Sequence, residues 1–446
     1  MPRRYAMTAV MAGVALAVSA AMPALAMDAA TTGSHSDRMS SGHRGSPFAP
    51  GTGRLVVDWN KTLITILGTP GAQPATIHPT RSFAILQAAE YDAVVSVTHV
   101  GHPYLFDVDV DRHASAAAAA DQAAHDVLAA LYPGQASISD SQLAAELALI
   151  PAGPDRNRGT TVGQVVAAGL LAVRATDGSA ATPPPFVPGT APGDYRPTPP
   201  NFPNPVFTGW GRVTPFVLEG GSQFRPPAPP AVTSQDYQNA LAVTESLGQD
   251  TSTTRSADQT TAGKDWSSTP VWNVWNEVAQ DQVALHDSSL ERAAAMFATL
   301  DLTLADSAIG LYDAKYTYHV WRPITAIRDG AEFGFPPNAA WNPLTTTAGD
   351  PSYPGAHATF SFAAATVLTA FFGGDQPVTV HFDALPGQTR SFTSFLSAAN
   401  EASLSRIWAG QHTMLDEDAG QQLGSDIASF VLRHFGSFPD GLAGRR

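Results

Sequence analysis

Apolar residues recur along most of the chain at the spacing of an amphipathic helix. In residues 81–97 they fall close to the 3.6-residue helical period, at Phe83, Leu86, Ala89 and Val94. The alternating patterns that are typical of half-buried strands are short and few. The hydrophobic pattern therefore predicts an all-α protein.

Turn and stop signals divide this pattern into separate helices. The predicted helices span residues 81–97, 115–131, 140–149, 161–175, 234–247, 288–325, 357–372, 390–409 and 416–435. Between the fourth and the fifth, residues 182–230 hold 15 of the 36 prolines, which excludes a regular helix or a central strand. Because this segment also carries Trp210, Phe216 and Phe224, we expect an ordered connection. We predict two helix bundles joined by it.

The first residues read as an export signal. Arg3 and Arg4 precede an apolar stretch over residues 6–20, and residues 24–26 provide an Ala-x-Ala cleavage site after Ala26. The apolar stretch is short for a membrane span, although an uncleaved anchor is the alternative. We predict a signal peptide over residues 1–26, a flexible leader over 27–55, an N-terminal helical region over 56–250 and a C-terminal helical domain over 251–446.

Composition narrows the classes of function. The 446 residues include no cysteine, which excludes disulfides, thiolate metal sites and cysteine nucleophiles. The formal net charge of −14 argues against nucleic-acid binding. No membrane span is predicted in the mature chain, which we expect to be secreted or periplasmic. Of the 25 basic residues only three are lysines, and one of them, Lys315, falls in the motif described next.

Three segments of the last third combine permanent cations with histidines. The first has Lys315 and Arg322 seven residues apart and ends at Pro323, so we expect both cations on one helix face. The second is a Pro-Gly turn that delivers His357 at the start of a helix, where free N–H groups favour an anion. The third places Arg406 before Gly410.

That third segment continues with a second histidine. His412 starts the next helix, and Asp416 follows four residues later, a spacing at which its carboxylate would orient the imidazole. The three cations Lys315, Arg322 and Arg406 are called the cation cluster below. Together with two histidines they suit a tetrahedral oxyanion that passes through five-coordinate geometry. One histidine would take an apical position and the other would exchange a proton.

These motifs resemble the signature shared by vanadium-dependent haloperoxidases and the type-2 phosphatidic-acid and bacterial acid phosphatases. The resemblance rests on Lys-x6-Arg-Pro, a Pro-Gly-Ala-His turn and Ser-Arg-x5-His-x3-Asp. The stretch from Tyr316 to Arg328 is similar to the haloperoxidase branch, as is the segment Gln223 to Pro230. Arg255-Ser-Ala-Asp258-Gln is similar to an upstream element of that branch. The resemblance covers most of the chain after about residue 56 and is closest to secreted bacterial members.

The resemblance implies roles for individual residues. The cation cluster would hold the oxygens of vanadate or phosphate, aided by the backbone of Gly355 and Ala356. His412 would be the apical vanadium ligand, or the phosphorylated nucleophile of a phosphatase, and His357 the acid–base residue. Asp258 would balance Arg406, and Asp416 would orient His412.

Two departures from the family pattern bear on activity. Gly355 stands where the family has a serine whose hydroxyl donates to the anion, and the loss of such a bond costs about 1.5–3 kcal/mol. Ser352 lies too early in the turn to be a safe substitute. Asp350 stands where chloride-oxidising relatives have an aromatic residue, and its charge would repel a halide.

Three functions are compatible with these residues. The first is a vanadate-dependent haloperoxidase that oxidises a halide, bromide rather than chloride, with hydrogen peroxide. The second is a secreted acid phosphatase that cleaves a phosphate monoester through a phosphohistidine. The third is a non-catalytic oxyanion-binding scaffold. The motif residues do not separate the first two, because vanadate resembles the phosphoryl transition state.

Overall fold

Helices make up most of the fold, as the hydrophobic pattern predicts. The structure is a computed structural model that describes residues 5–7 and 52–435. Apart from residues 5–7, the predicted signal peptide with its cleavage site lies outside the described residues, as does most of the predicted leader. The leader's last residues are helical, since the first helix begins at Arg54.

Five helices precede the proline-rich connection. They are α1 (Arg54–Gly68), α2 (Thr80–Thr98), α3 (Ala116–Leu131), α4 (Ala136–Leu149) and α5 (Pro154–Arg174). The alanine-rich α3 begins where the Ser115 hydroxyl accepts the N–H of Ala118, which is an N-cap that satisfies one free amide. A short strand, β1 (Tyr5–Met7), pairs in parallel with β2 (Phe106–Val108).

Eight more helices follow the connection in the described residues. They are α6 (Gln235–Gly248), α7 (Ala257–Ser268), α8 (Val271–Leu285), α9 (Leu290–Tyr318), α10 (Pro323–Arg328), α11 (Ala356–Phe372), α12 (Phe395–Trp408) and α13 (Met414–His434). The strands β3 (Val378–His381) and β4 (Thr389–Phe392) form an antiparallel hairpin between α11 and α12. The all-α class is therefore confirmed.

Four predicted helix boundaries are wrong. Two helices begin earlier than predicted, at Ala136 and not residue 140 and at Pro154 and not residue 161. The helix predicted over 390–409 begins only at Phe395, because Thr389–Phe392 pairs with β3 and Ser394 forms a capping box with Ser397. The helix predicted over 288–325 ends at Tyr318, for a reason given with the site.

The proline-rich connection is ordered, as expected. Trp210 and Phe216 in it are buried, and a buried carboxylate fixes its path. Asp306 of α9 accepts the backbone N–H groups of Phe216, Val217 and Leu218 at 2.6, 2.8 and 2.9 Å. One hydrophobic core runs through the helices on both sides of this connection. The two helical regions therefore support each other.

The long helix α9 lies at the centre of this core. Within the described residues it alone has the length and apolar composition of a membrane span, and its most apolar window is entirely buried by the protein. Close packing nearby fixes the helices that carry the site. A Cβ at Gly420 or Gly424 of α13 would lie 2.4 or 2.1 Å from a backbone oxygen of Gly355 or Thr359, so only glycine allows α13 to approach α11 this closely.

Candidate active site

Lys315 and Arg322 lie on either side of a helix end. The helix α9 ends at Tyr318, and His319 adopts the left-handed conformation with φ of 51°. Arg322 is extended, with φ −84° and ψ 154°, and precedes Pro323. A residue before proline is disfavoured in the helical region, so Arg322 does not extend a helix. The prediction that both cations project from one helix face is therefore wrong.

A buried carboxylate brings these two cations together instead. Lys315 Nζ lies 3.2 Å from Asp350 Oδ2, and the Arg322 guanidinium pairs with Asp350 Oδ1. Backbone carbonyls complete the contacts, since Arg322 Nε donates to Asp350 O at 2.7 Å and Lys315 Nζ to Ser352 O at 3.1 Å. Lys315 is 0% and Arg322 1% exposed. Charges this deeply buried require such partners.

The same contacts set the ionisation of this group. Burial acts to raise the pKa of Asp350, but Lys315 and Arg322 outweigh it and hold the pKa below its usual value. Burial lowers the pKa of Lys315 to about 8, while Asp350 acts to raise it. At neutral pH the carboxylate is ionised and most Lys315 side chains are protonated.

His412 lies between α12 and α13, with one ring nitrogen facing the cations. Arg322 donates to His412 Nε2 at 3.2 Å, so Nε2 carries a lone pair and Nδ1 carries the hydrogen. Nδ1 lies 3.3 Å from Ser352 Oγ, whose hydroxyl donates to Asp416 Oδ2 at 2.9 Å. The direct distance from Nδ1 to Asp416 Oδ2 is 3.7 Å. Asp416 therefore orients His412 through the Ser352 hydroxyl.

Burial, followed by the field of the cations, keeps His412 neutral. Both effects lower the pKa of His412 well below its ordinary value, with Arg322 the strongest of the charges. A neutral imidazole with its lone pair on the cation side can act as a ligand or a nucleophile.

The other histidine and the third cation form hydrogen bonds to the last turn of α7. His357 Nε2 donates to the Trp266 carbonyl at 2.9 Å, which leaves Nδ1 as a free acceptor. Arg406 donates to Ser267 Oγ at 2.6 Å, and its Nε is buried with no hydrogen-bond partner among the described residues. Burial and then the Arg406 charge lower the pKa of His357 well below its ordinary value. His357 is therefore a neutral base at neutral pH.

The turn before α11 differs from the predicted donor arrangement. The Gly355 N–H, predicted to face the anion, donates instead to Asp416 O at 2.7 Å. Ala356 opens α11, and its N–H has no acceptor inside that helix. A Cβ added at Gly355 would lie only 2.4 Å from Glu417 Oε1. The space of the missing serine side chain is thus filled by a glutamate.

Glu417 is a site residue that the sequence interpretation missed. Its Oε2 accepts from Ser403 at 2.9 Å, while Oε1 is buried without a partner in the described part of the chain and lies 4.0 Å from His412 Nδ1. Burial raises the pKa of Glu417 above its usual range, although the Ser403 hydrogen bond opposes this. The only signal in the sequence was its place directly after Asp416.

Asp258 does not reach the site, which corrects its predicted role. Its side chain is 73% exposed and pairs with Arg390 at 3.1 Å, whereas Arg406 faces Ser267 and Glu417. Arg255 of the same element donates to the carbonyls of Gln249 and Trp408, at 2.8 and 3.1 Å. This element therefore ties helix ends together.

The donor set suits an oxyanion. The Arg406 Nε–H is buried and unpartnered, and the Ala356 N–H is open. A carboxylate, itself an oxyanion, already lies between Lys315 and Arg322. Among residues 52–435 no group of three or more acidic or histidine side chains has the geometry of a metal-cation site. Vanadate or phosphate fits these residues, held by the cation cluster with His412 Nε2 beside it.

The comparisons with known proteins agree with this geometry. The family model of the VCPO second helical-bundle domain matches residues 295–441, which include the cation cluster and both histidines. No curated protein sequence matches the chain. Among solved structures, the first bacterial vanadium-dependent iodoperoxidase superposes with a TM-score of 0.78 at 23% identity, covering 90% of this chain and 100% of that one.

Two structures of a chloroperoxidase have the same architecture as this chain. The holo form of a bacterial vanadium-dependent chloroperoxidase has a TM-score of 0.64 at 15% identity and covers 87% of this chain and 100% of that one. The apo form has 0.61 at 14%, covering 84% and 98%. These matches confirm the resemblance to the vanadium-haloperoxidase superfamily: the chain has the fold of the bacterial vanadium haloperoxidases, and its residues 295–441 match the model of that family's second helical-bundle domain.

Proposed function

We propose that this protein is a vanadate-dependent haloperoxidase that oxidises a halide with hydrogen peroxide. One observation carries the proposal: three cations and two neutral histidines lie together in a buried site, and each histidine has one unprotonated ring nitrogen. That site lies in the matched haloperoxidase domain.

Each side chain has a distinct task in this reaction. Lys315, Arg322 and Arg406 would bind the oxygens of vanadate by charge and hydrogen bonds. His412 would offer its Nε2 lone pair to vanadium, and Ser352 and Asp416 hold the ring in that tautomer. Vanadate, when bound, would supply the Lewis acidity that activates peroxide. His357 Nδ1 accepts the peroxide proton, since its lowered pKa keeps it neutral.

The halide is the finer part of the proposal. The ionised Asp350 repels any halide that approaches Lys315 and Arg322, so we propose the more easily oxidised bromide rather than chloride. An open cleft of about 480 Å³ beside α9, lined by Phe186, Tyr312 and Tyr316, provides room for an organic acceptor.

A phosphatase activity is the second candidate. The neutral His412 Nε2 would attack phosphorus as the bond to the ester oxygen breaks. His357 Nδ1 would first take up a proton from solvent and pass it to the leaving oxygen, and water would then cleave the phosphohistidine while His357 accepts its proton. Asp350 favours this alternative, because a carboxylate beside the cations disfavours a halide without excluding a phosphate ester.

One paired assay separates these functions. The purified protein is loaded with orthovanadate, and bromination of a phenolic dye with peroxide is measured beside p-nitrophenyl phosphate hydrolysis without vanadate. We expect bromination that H357A and H412A each reduce by about 10²–10⁴-fold. The control H381A changes a half-exposed histidine of β3 and should leave the rate unchanged. Hydrolysis that vanadate abolishes, with no bromination, would contradict the haloperoxidase proposal.

We also propose that the protein is exported. The basis is the sequence of residues 1–26, with its arginines, apolar stretch and Ala-x-Ala site. N-terminal sequencing of protein from the culture medium or the periplasm should begin at Met27. Full-length protein that stays in the cytoplasm would contradict it.

A further inference from the structure

We propose that Asp350 is an internal competitor for the oxyanion site: its carboxylate occupies Lys315 and Arg322 until a tetrahedral oxyanion takes over their contacts. This residue would thereby set both the affinity of the site and its preference among anions. The inference rests on the proposed function only for its halide experiment.

The contacts of Asp350 support this role. Its two carboxylate oxygens contact one cation each, Lys315 Nζ at 3.2 Å and the Arg322 guanidinium. These are two of the three cations that the anion needs. An incoming oxyanion therefore has to break both contacts, which lowers its net binding free energy.

The backbone around Asp350 allows this exchange. Arg322 Nε donates to the Asp350 carbonyl at 2.7 Å, and Lys315 Nζ donates to the Ser352 carbonyl at 3.1 Å. These bonds do not involve the carboxylate, so they can keep both cations in place when the Asp350 side chain rotates away. The exchange would need rotation about the side-chain bonds of Asp350 and no movement of the backbone.

The charge and shape of the ligand decide whether the exchange succeeds. Vanadate and phosphate present several oxygens, which can replace the contacts to Lys315 and Arg322 and also reach the unpartnered Arg406 Nε. A halide carries a single charge on one centre, so it forms weaker and less directed contacts with Lys315 and Arg322 than an anion with several oxygens. Asp350 therefore selects oxyanions and disfavours halides at these cations.

Anion binding to the D350N variant tests the proposal. Asparagine keeps the size of the side chain and removes its charge, which leaves two buried cations in need of an anion. We expect orthovanadate and orthophosphate to bind about ten- to a hundredfold more tightly than to the unchanged protein, by isothermal titration calorimetry. Equal or weaker binding of both anions would overturn the proposal, since it would show that Asp350 positions the cations.

A matched variant controls for net charge. D313N removes the same charge two residues from Lys315, where Asp313 pairs with Arg225 at 2.7 Å outside the cation cluster. Its anion affinity should stay within about threefold of the unchanged protein. An equal gain in D313N and D350N would overturn the specific role of Asp350.

Stability provides a second readout if D350N is difficult to purify. The variant is then prepared with orthophosphate present, and the melting temperature is followed as phosphate is added. We expect phosphate to raise it more in D350N than in the unchanged protein, because a tighter ligand stabilises more. An equal or smaller rise would contradict the proposal.

The halide experiment measures the bromide KM and kcat of both proteins loaded with vanadate. We expect D350N to lower the bromide KM by about tenfold or more, because a repelling charge is gone. An unchanged or higher bromide KM would overturn the claim that Asp350 disfavours halides. If neither protein brominates but D350N binds vanadate more tightly, the proposed function fails and the internal competitor stands.

Discussion

Two buried polar clusters in this fold handle charge in opposite ways. The cation cluster lies beside an ionised carboxylate, whereas no lysine or arginine in the described residues offsets the charge of the acid cluster, formed by the buried Glu90, Asp121 and Asp301. Trp59 donates to Asp121 at 2.9 Å and Asn276 donates to Asp301 at 3.0 Å.

Burial keeps the three acids of the acid cluster protonated. Desolvation raises the pKa of Asp121 and of Asp301 to about 8, and it raises that of Glu90 well above its ordinary value. These acids are therefore largely uncharged at pH 7, and Asp121 and Asp301 accept hydrogen bonds inside the core. In these two clusters, charge is kept where cations and a carboxylate pair and is lost by protonation where no cation offsets it.

We expect the largest loss of stability from a substitution that breaks the ion pairs of the cation cluster. R322M leaves Asp350 with one cation and removes the donor to His412, so we expect a loss of about 3–5 kcal/mol in the free energy of unfolding. In the acid cluster, D301N replaces a protonated acid by a neutral side chain of the same shape and should cost at most about 1 kcal/mol. Urea denaturation measures the free energy of unfolding of both variants. Equal losses in R322M and D301N would contradict the difference between the two clusters.

The next effect concerns the space beside the cation cluster. G355S restores the serine of the family pattern but places its Cβ 2.4 Å from Glu417 Oε1, and we expect a loss of about 1–3 kcal/mol in stability. The double variant G355S/E417A should recover most of it. G374S is the matched control, because a Cβ at Gly374 meets no atom within 4 Å. Thermal denaturation in which G355S and G374S behave alike would show that Glu417 does not fill this space.

The third effect, which develops only as the pH rises, is the pH dependence that the acid cluster imposes. The pKa of Asp301 is raised from about 4 to about 8 on folding, so the folded state binds the extra proton between these values. This contribution to stability is complete below about pH 4 and is lost as the pH rises through about 8. D301N should flatten the decline in urea-denaturation stability between pH 5 and 9, a range chosen to span the shift. If stability declines with pH as steeply in D301N as in the unchanged protein, Asp301 is not the source of this pH dependence.

Local sequence patterns predicted the cation cluster and both histidines, because each motif is short and sits at a helix end or turn. The resemblance supplied their common site. The direction of Arg322 was predicted wrongly, since the left-handed turn at His319 has no signal in the helical periodicity. The helices α1, α7 and α8 were missed as well, although Val271, Val274 and Val278 of α8 lie at helical spacing.

The contacts that site residues make were harder to predict from the sequence than which residues belong to the site. Asp258 and Arg406 were paired from the resemblance, yet the packing of α7 turns Asp258 toward solvent and brings Ser267 to Arg406. Glu417 became a site residue only because α13 packs closely on α11 and no side chain occupies position 355. Such contacts depend on tertiary structure and leave no local pattern.

The most direct test of the account is a crystal structure of the protein soaked with orthovanadate. The account predicts vanadate bonded to His412 Nε2, its oxygens on Lys315, Arg322 and Arg406, and the Asp350 carboxylate turned away from both cations. Vanadate bound elsewhere, or Asp350 still paired with Lys315 and Arg322 beside bound vanadate, would contradict it.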